Sequence, residues 1–215
     1  MQWTYDGTIR NALWIGGGQW AGKTTVAWLL TERYTLVDYP YDFYAARGHD
    51  DRRIAALARR GEPVVPRDWE AYWISSSPRE IVEQTLAGFT EGFAWVLDDL
   101  RGLLCPRPVL AEGWGLRPEL VAAVTDDLRR MVVLVPTDQW RQHQASALPR
   151  AGAVGAPVSD PALAQRNRLE RDRLIAADAV RRAHEHGIRV IEVDGSRDAR
   201  SIADEVAEHF RPFLS

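Results

Sequence analysis

The chain has 215 residues, which is long enough for one domain with a sizeable hydrophobic core. Its hydrophobic fraction of 46% and formal net charge of −3 are those of an ordinary globular protein, and they give no reason to expect a nucleic-acid partner. No apolar run approaches a membrane span in length, no basic leader precedes the first apolar run, and the lone Cys105 precludes an internal disulfide. We therefore expect a cytoplasmic protein that has no membrane partner.

The first part of the chain alternates short apolar runs with helical patterns. Residues 12–16 form the first predicted strand, and a helix is predicted from residue 23 to about residue 33. A second strand is predicted over 35–39, and residues 41–60, rich in Ala and Arg, predict a helix. Alternation of this kind is typical of a parallel sheet whose strands are joined by crossover helices.

The rest of the chain continues the same alternation after a proline-punctuated connection with a short helix around 69–73. Ser77 followed by Pro78 is the pattern of an N-cap with proline at the first helical position, and it predicts a helix to about residue 104. The later predicted elements are a strand over 108–113, a helix over 118–129, a strand over 131–136, a helix capped by Thr137 that ends near 148, a helix from Asp160-Pro161 to Gly187, a strand over 188–193 and a helix over 199–210.

Five strands with interleaved helices predict one three-layer α/β/α domain over residues 1–215. The stretch 149–160 is small, rich in Gly and Pro, and carries no periodic pattern.

A glycine-rich motif joins the first predicted strand to the first predicted helix. The run "GGQWAGKT" matches G-x-x-x-x-G-K-[ST], in which glycines let successive backbone N–H groups point at phosphate oxygens and the following helix offers its positive end to the same anion. Its position between strand and helix disfavours a chance match. We expect Lys23 to reach the β- and γ-phosphates and Thr24 to ligate Mg²⁺. The residues expected to bind the nucleotide are Gly17, Gly18, Gln19, Trp20, Ala21, Gly22, Lys23, Thr24 and Thr25.

Other motifs narrow the class of nucleotide-binding protein. The chain has no Asn-Lys-x-Asp run of the kind that reads a guanine base. Its strand ends, "LVDYP", "VLAEG", "VLVPT" and "IEVDG", give no clean match to the apolar strand ending in Asp or Asp-Glu that is typical of motor ATPases. A phosphotransferase therefore fits better than a GTPase or a mechanical ATPase.

The glycine-rich motif, the Asp near the second strand, the Glu-Gly after the third and the Arg-rich late helix together resemble the P-loop nucleoside/nucleotide-kinase-like family. That family includes shikimate, gluconate and adenylate kinases and chloramphenicol phosphotransferase. The resemblance implies a five-stranded parallel sheet of order 2-3-1-4-5, ATP and Mg²⁺ as cofactors, a substrate-binding insert at about 41–76 and a lid at about 145–173. The runs "AEGWGLRPEL" and "SDPALAQRNRLERDRLI" also resemble a group of actinobacterial P-loop proteins known mainly as predicted kinases.

Two carboxylates compete for the role that the family gives to an acid near the end of the second strand, which takes the acceptor's proton or anchors Mg²⁺. We favour Asp42 as the base and Asp38 as the magnesium or supporting residue. The alternative for Asp42 is that it caps the next helix. Glu112, at the carboxyl edge of the sheet, either binds substrate hydroxyls or a magnesium-bound water, or faces solvent at a strand end.

The arginines of the expected lid are candidates for contact with the transferred phosphoryl group, because positive side chains stabilise its charge as a lid closes. The candidates are Arg150, Arg166 and Arg171. The alternative is a solvated helix in which Glu170 and Asp172 pair with these arginines.

The acceptor pocket is expected to draw on the expected insert and on the turn after the third strand. Aromatic rings beside a few polar groups suit a planar or amphipathic small molecule, although the same rings could equally pack the helices of the insert together. The expected substrate-binding residues are Asp42, Tyr44, Arg47, Trp69, Trp73, Glu112 and Trp114.

These features together predict an ATP- and Mg²⁺-dependent kinase that phosphorylates a hydroxyl of a small molecule, whether a metabolite, a nucleoside or an antibiotic-like acceptor. The rival hypotheses are a small P-loop ATPase and a nucleotide-responsive binding module that has no phosphoryl acceptor. The sequence leaves open whether the protein is a monomer or a homodimer.

Overall fold

The computed structural model describes residues 7–103, 107–148 and 152–214. Its centre is a five-stranded sheet in which all neighbours are parallel. The strands are β1 (Leu13–Gly17), β2 (Val37–Pro40), β3 (Val109–Glu112), β4 (Met131–Pro136) and β5 (Arg189–Val193). Their order, β2-β3-β1-β4-β5, confirms the predicted order.

Nine α-helices belong to the described residues. They are α1 (Gly7–Asn11), α2 (Lys23–Tyr34), α3 (Tyr41–Ala45), α4 (Gly48–Arg59), α5 (Pro78–Gly102), α6 (Pro118–Ala122), α7 (Asp138–Ala147), α8 (Pro161–Glu185) and α9 (Ala199–Phe210). A π-helical turn covers Ala71–Ser75, and 3₁₀ turns cover Leu128–Arg130 and Arg211–Phe213. None of these helices combines the length and apolar character that crossing a bilayer requires.

The sheet separates two hydrophobic cores, because successive side chains of a strand point to opposite faces. Trp14 of β1 packs with residues of α5 and α8 on one face. Its neighbours Leu13 and Ile15 pack with residues of α2 and α9 on the other. The predicted three-layer α/β/α arrangement is therefore confirmed.

Local chemistry explains most of the boundaries. The Ser77 side chain accepts a hydrogen bond from the Glu80 backbone N–H, and the Glu80 carboxylate accepts one from the Ser77 backbone N–H, so the predicted start of α5 is a complete capping box. Thr35 ends α2 in the left-handed conformation, with φ of 52°, which delays β2 to Val37.

Two helix predictions were wrong in extent. The helix predicted over 118–129 ends at Ala122, because the side chains of Thr125 and Asp127 bond to nearby backbone N–H groups and compete with the helical pattern. The helix predicted over 41–60 is divided into α3 and α4 at Arg47, whose backbone is not helical. The short helix α1 was not predicted.

This architecture brings the carboxyl ends of β1, β2 and β3 together at one edge of the sheet. From β1 the chain adds β2 and β3 on one side of the sheet, and then β4 and β5 on the other side. The strand order therefore reverses at β1. Ligands of open parallel sheets bind at such a point.

Candidate active site

The glycine-rich loop between β1 and α2 is held close to its neighbours. A Cβ at Gly17 would lie 2.0 Å from the carbonyl oxygen of Leu134, and a Cβ at Gly18 would lie 2.9 Å from both Pro136 Cδ and Ala176 Cβ. Side chains at these two positions would therefore push the loop away from β4 and α8. Gly22 has φ of 74°, a conformation that glycine adopts without steric cost.

The loop leads into the N-terminal end of α2. Gly22 is the N-cap and offers no side-chain acceptor, and the first turn contains no acidic residue. The first backbone N–H groups of this 12-residue helix therefore lack the carboxylate or hydroxyl partner that usually satisfies them. Such a helix end is suited to an anion.

Lys23 lies at the same helix end and is the single lysine of the chain. Its side chain is 6% exposed, and Nζ donates a 2.7 Å hydrogen bond to the carbonyl oxygen of Gly18. Burial lowers the pKa of Lys23, while the negative charges of Asp42, Glu112 and Asp172 act against that shift. A bound anion beside the ammonium would add to these negative charges and stabilise the charged form of Lys23.

Thr24 and Glu112 connect the helix to the end of β3. The Thr24 hydroxyl donates to Glu112 Oε1 at 3.1 Å. Glu112 is 2% exposed, and its Oε2 has no hydrogen-bond partner among the described residues. Burial raises the pKa of Glu112 to about 7, with the positive charge of Lys23 opposing the rise. The alternative in which Glu112 faces solvent was therefore wrong.

This donor set fits a magnesium ion. Mg²⁺ prefers oxygen ligands, and proteins usually bind it through one or two carboxylates together with phosphate and water. The Glu112 oxygen that has no hydrogen-bond partner in the described part of the chain, together with the threonine hydroxyl, offers such ligands at the head of α2.

Asp38 and Asp42 lie near this group. Asp38 pairs with Leu110 in the register of β2 and β3, and burial raises the pKa of its carboxyl group. Asp42 lies in the first turn of α3, whose N-cap is Pro40, so Asp42 is not the capping residue. The side chain of Asp42 keeps exposed surface, while desolvation of its carboxyl group raises its pKa and the positive charge of Lys23 opposes that rise. The charges of Asp38 and Asp42 both act on Glu112.

The expected lid helix, α8, contributes a buried carboxylate that sequence reasoning had assigned only to surface pairing. Asp172 is 1% exposed and accepts a hydrogen bond from Trp20 Nε1 at 3.1 Å. One signal in the sequence could have identified it. Ile175, Ala176 and Ala179 form one apolar face of α8, and the residue one turn before Ile175 and Ala176 on that face is Asp172.

The candidate arginines have different surroundings. Arg171 donates from Nε and Nη2 to Asp172 Oδ1, at 2.9 and 2.6 Å, so it forms the ion pair of the alternative interpretation. Arg166 is exposed on α8, and Arg150 lies outside the described residues. Glu170 pairs with Arg173, as the alternative also expected. Contact between any of these arginines and phosphate stays a prediction.

The aromatic residues of the expected acceptor side are partly packed and partly open. Tyr44 stacks on Tyr39 with ring centroids 4.3 Å apart, and Trp73 is 5% exposed. Trp69 is 37% exposed, and Trp114 is half-buried. The guanidinium of Arg47 lies over the ring of Phe43, 4.6 Å from its centroid.

Arg171 joins two of these aromatic residues. Its guanidinium lies 5.0 Å from the ring centroid of Trp73 and 4.9 Å from that of Trp114. The acceptor-side aromatics therefore meet α8 next to the carboxylate that contacts the glycine-rich loop.

Comparisons with known proteins add the following. No protein-family model and no curated protein sequence matches this chain. Among solved structures, shikimate kinase from Acinetobacter baumannii in complex with shikimate is 16% identical, with a TM-score of 0.49, over 96% of this chain and 97% of that one. Shikimate kinase from Aquifex aeolicus is 14% identical, with a TM-score of 0.38, over 93% and 95% of the two chains. A gluconokinase from Sinorhizobium meliloti is 11% identical, with a TM-score of 0.43, over 96% and 94%.

None of these comparisons supports the resemblance to actinobacterial P-loop proteins. The function proposed below rests on the residues of the site itself.

Proposed function

We propose that this protein is an ATP- and Mg²⁺-dependent kinase that transfers the γ-phosphoryl group to a hydroxyl of a small molecule. The observation that carries the proposal is the arrangement at the head of α2. There, one buried lysine lies beside a glycine-rich loop and a threonine hydroxyl, and the charges of the buried Glu112 and Asp172 and of the exposed Asp42 act on it. A binding site for phosphate, a ligand set for Mg²⁺ and a base for a hydroxyl proton are the three parts that phosphoryl transfer needs.

The donor is held by the loop and Lys23. Backbone N–H groups within residues 19–24 bind the phosphate oxygens, and the Lys23 ammonium exchanges its bond with the Gly18 carbonyl for bonds to phosphate. Because the ammonium is buried, its attraction for phosphate is screened less than at an exposed site.

Thr24 and Glu112 would hold the magnesium ion, with Asp38 as a supporting carboxylate. When bound, Mg²⁺ neutralises charge that develops on the phosphate oxygens.

Asp42 acts as the general base. Its raised pKa makes the carboxylate a better proton acceptor than an ordinary aspartate. The acceptor's oxygen forms a bond to the γ-phosphorus as the bond from that phosphorus to the bridging oxygen breaks. ADP leaves with the electron pair of that bond, and the hydroxyl proton passes to Asp42.

The acceptor binds beside Trp69 and Trp114, whose rings retain exposed surface. Exposed aromatic surface, together with Asp42 as the proton acceptor, suits a small molecule that has an apolar or planar part and a hydroxyl. This combination favours amphipathic alcohols over highly charged acceptors.

An assay of ADP release from ATP and Mg²⁺ with a panel of hydroxyl compounds tests the proposal. The panel covers sugar acids, nucleosides, polyols and aminocyclitol or amphenicol antibiotics. We expect at least one class to raise ADP release well above the rate in water alone, with matching phosphorylated product. Release that is equally fast without any acceptor would indicate the ATPase alternative. Nucleotide binding without turnover for any class would indicate the binding module.

A further inference from the structure

Trp20 has an unusual backbone conformation for its residue type. Its φ is 68°, in the left-handed region that bulky residues rarely adopt, and it lies inside the glycine-rich loop. A residue held in this way is strained, and it persists where surrounding contacts fix it. The contacts that fix Trp20 therefore bear on the shape of the loop.

Two contacts from α8 hold the indole of Trp20. Its Nε1 donates to Asp172 Oδ2 at 3.1 Å, and the guanidinium of Arg168 lies 5.4 Å from the ring centroid. The loop is thus fastened through its one bulky residue to a helix that begins about 140 residues later in the chain. The carboxylate that accepts the bond is 1% exposed, so water competes little for it.

The other oxygen of Asp172 serves the acceptor side. Oδ1 accepts both hydrogen bonds from Arg171, whose guanidinium lies over Trp73 and Trp114. The charge of Asp172 also acts on the buried ammonium of Lys23. A single buried carboxylate therefore contacts the loop with one oxygen and the arginine of the acceptor side with the other.

We propose that Asp172 is a positioning residue for the nucleotide site. It holds Trp20 in its strained conformation and so keeps the glycine-rich loop in the shape that binds phosphate. This inference rests on the proposed nucleotide site and concerns how that site is maintained.

Substitutions at positions 172 and 20 together distinguish the effect of Asp172 on Trp20 from its other effects on α8, such as the pair with Arg171. Asp172→Asn keeps the size of the side chain but removes its charge, so it weakens the hold on Trp20 and the pair with Arg171. Trp20→Gly removes the strain, because glycine adopts a positive φ freely, and a loop with glycine at position 20 no longer needs an anchor on α8. Asp172 should therefore matter for nucleotide binding only while Trp20 is present.

Calorimetric titration of ADP with Mg²⁺ into four proteins tests this coupling: the wild type, Asp172→Asn, Trp20→Gly and the double variant. We expect Asp172→Asn to weaken ADP binding about tenfold in the wild-type background, as for a lost charge-assisted hydrogen bond. We expect a change of less than twofold in the Trp20→Gly background. Glu170→Gln is the matched control, since it removes a charge of α8 that pairs with Arg173 at the surface.

The ADP affinities of these variants distinguish the proposal from its alternatives. Equal loss of ADP affinity from Asp172→Asn in both backgrounds would show a general effect on α8 and overturn the proposal, as would unchanged affinity in both. A Glu170→Gln loss as large as that of Asp172→Asn would overturn it too. If the wild type itself binds no ADP, ATP or GTP, the proposed function fails, which is a different result from a wild type that binds normally and an Asp172→Asn variant that binds equally well.

Discussion

The two sides of the candidate site are built in different ways. The phosphate side consists of consecutive residues between β1 and α2. Much of its chemistry belongs to the backbone and to glycines at which a Cβ would clash with neighbouring residues. The acceptor side consists of side chains from the π-helical turn, the turn after β3 and α8, which contact one another through aromatic faces and Arg171. A backbone site is fixed by local geometry, whereas a side-chain site depends on how distant segments pack. Substitutions on the phosphate side should therefore abolish activity, and those on the acceptor side should change selectivity.

Replacing Lys23 with methionine should have the largest effect. The substitution removes the ammonium that meets the phosphate, and we expect kcat/KM for ATP to fall about 10³-fold. The protein without ligand should stay folded, because methionine fills a similar volume and carries no charge to bury. ADP release reports the activity, and a thermal melt reports folding. A well-folded variant with at least a tenth of the wild-type activity would show that the phosphate side does not depend on Lys23.

Replacing Asp42 or Asp38 with asparagine should distinguish the roles of these two carboxylates. Asp42→Asn removes the proposed base, so we expect acceptor-dependent kcat to fall about 10²–10³-fold while the Kd for ADP is unchanged. Asp38→Asn, the matched control, should instead raise the Mg²⁺ concentration that half-maximal activity requires. The reverse pattern would assign the base to Asp38.

Glu112→Gln should change how stability depends on pH. The folded-state pKa of Glu112 is raised to about 7, so the folded form keeps its proton more tightly than the unfolded form. The contribution of Glu112 to the free energy of unfolding is fully present below its ordinary pKa and is lost as the pH rises through about 7. Glutamine mimics the protonated acid. In EDTA, the stability of Glu112→Gln relative to wild type should therefore rise by on the order of 2 kcal/mol between pH 5 and pH 8.

Urea unfolding at several pH values measures this difference. Glu192→Gln is the control, since it makes the same chemical change at an exposed position on β5. A difference for Glu112→Gln that does not change with pH would show that the pKa of Glu112 is not raised.

The smallest expected effect belongs to Trp69. Its side chain is 37% exposed and contacts Tyr72 edge-on, so Trp69→Ala should leave the melting temperature nearly unchanged. We expect the KM for the acceptor to rise roughly threefold through lost apolar contact, with the KM for ATP unaffected. Trp28→Ala on α2, where Trp28 is 57% exposed, serves as the control. An equal change in both KM values would remove Trp69 from the acceptor side.

The same contrast explains which features could be predicted from the sequence. The sheet order followed from the resemblance, and the loop with Lys23 and Thr24 could be predicted because its residues are adjacent in the chain. The burial of Glu112 was left open, because a strand-end acid is equally compatible with solvent. The role of Asp172 was missed, because its partner Trp20 is 152 positions away. The early end of α6 was missed because hydrogen bonds of Thr125 and Asp127 outweigh a helical pattern.

The single lysine of the chain allows a direct measurement of the central claim, that the head of α2 binds the phosphates of a nucleotide. Protein grown with ¹³Cε-lysine gives one lysine resonance, which belongs to Lys23. We predict that ADP with Mg²⁺ shifts this resonance in a saturable manner with one site per chain, and raises the pKa of Lys23 by placing anionic oxygens beside its ammonium. A resonance and a pKa that do not change at saturating ADP or ATP would contradict the account.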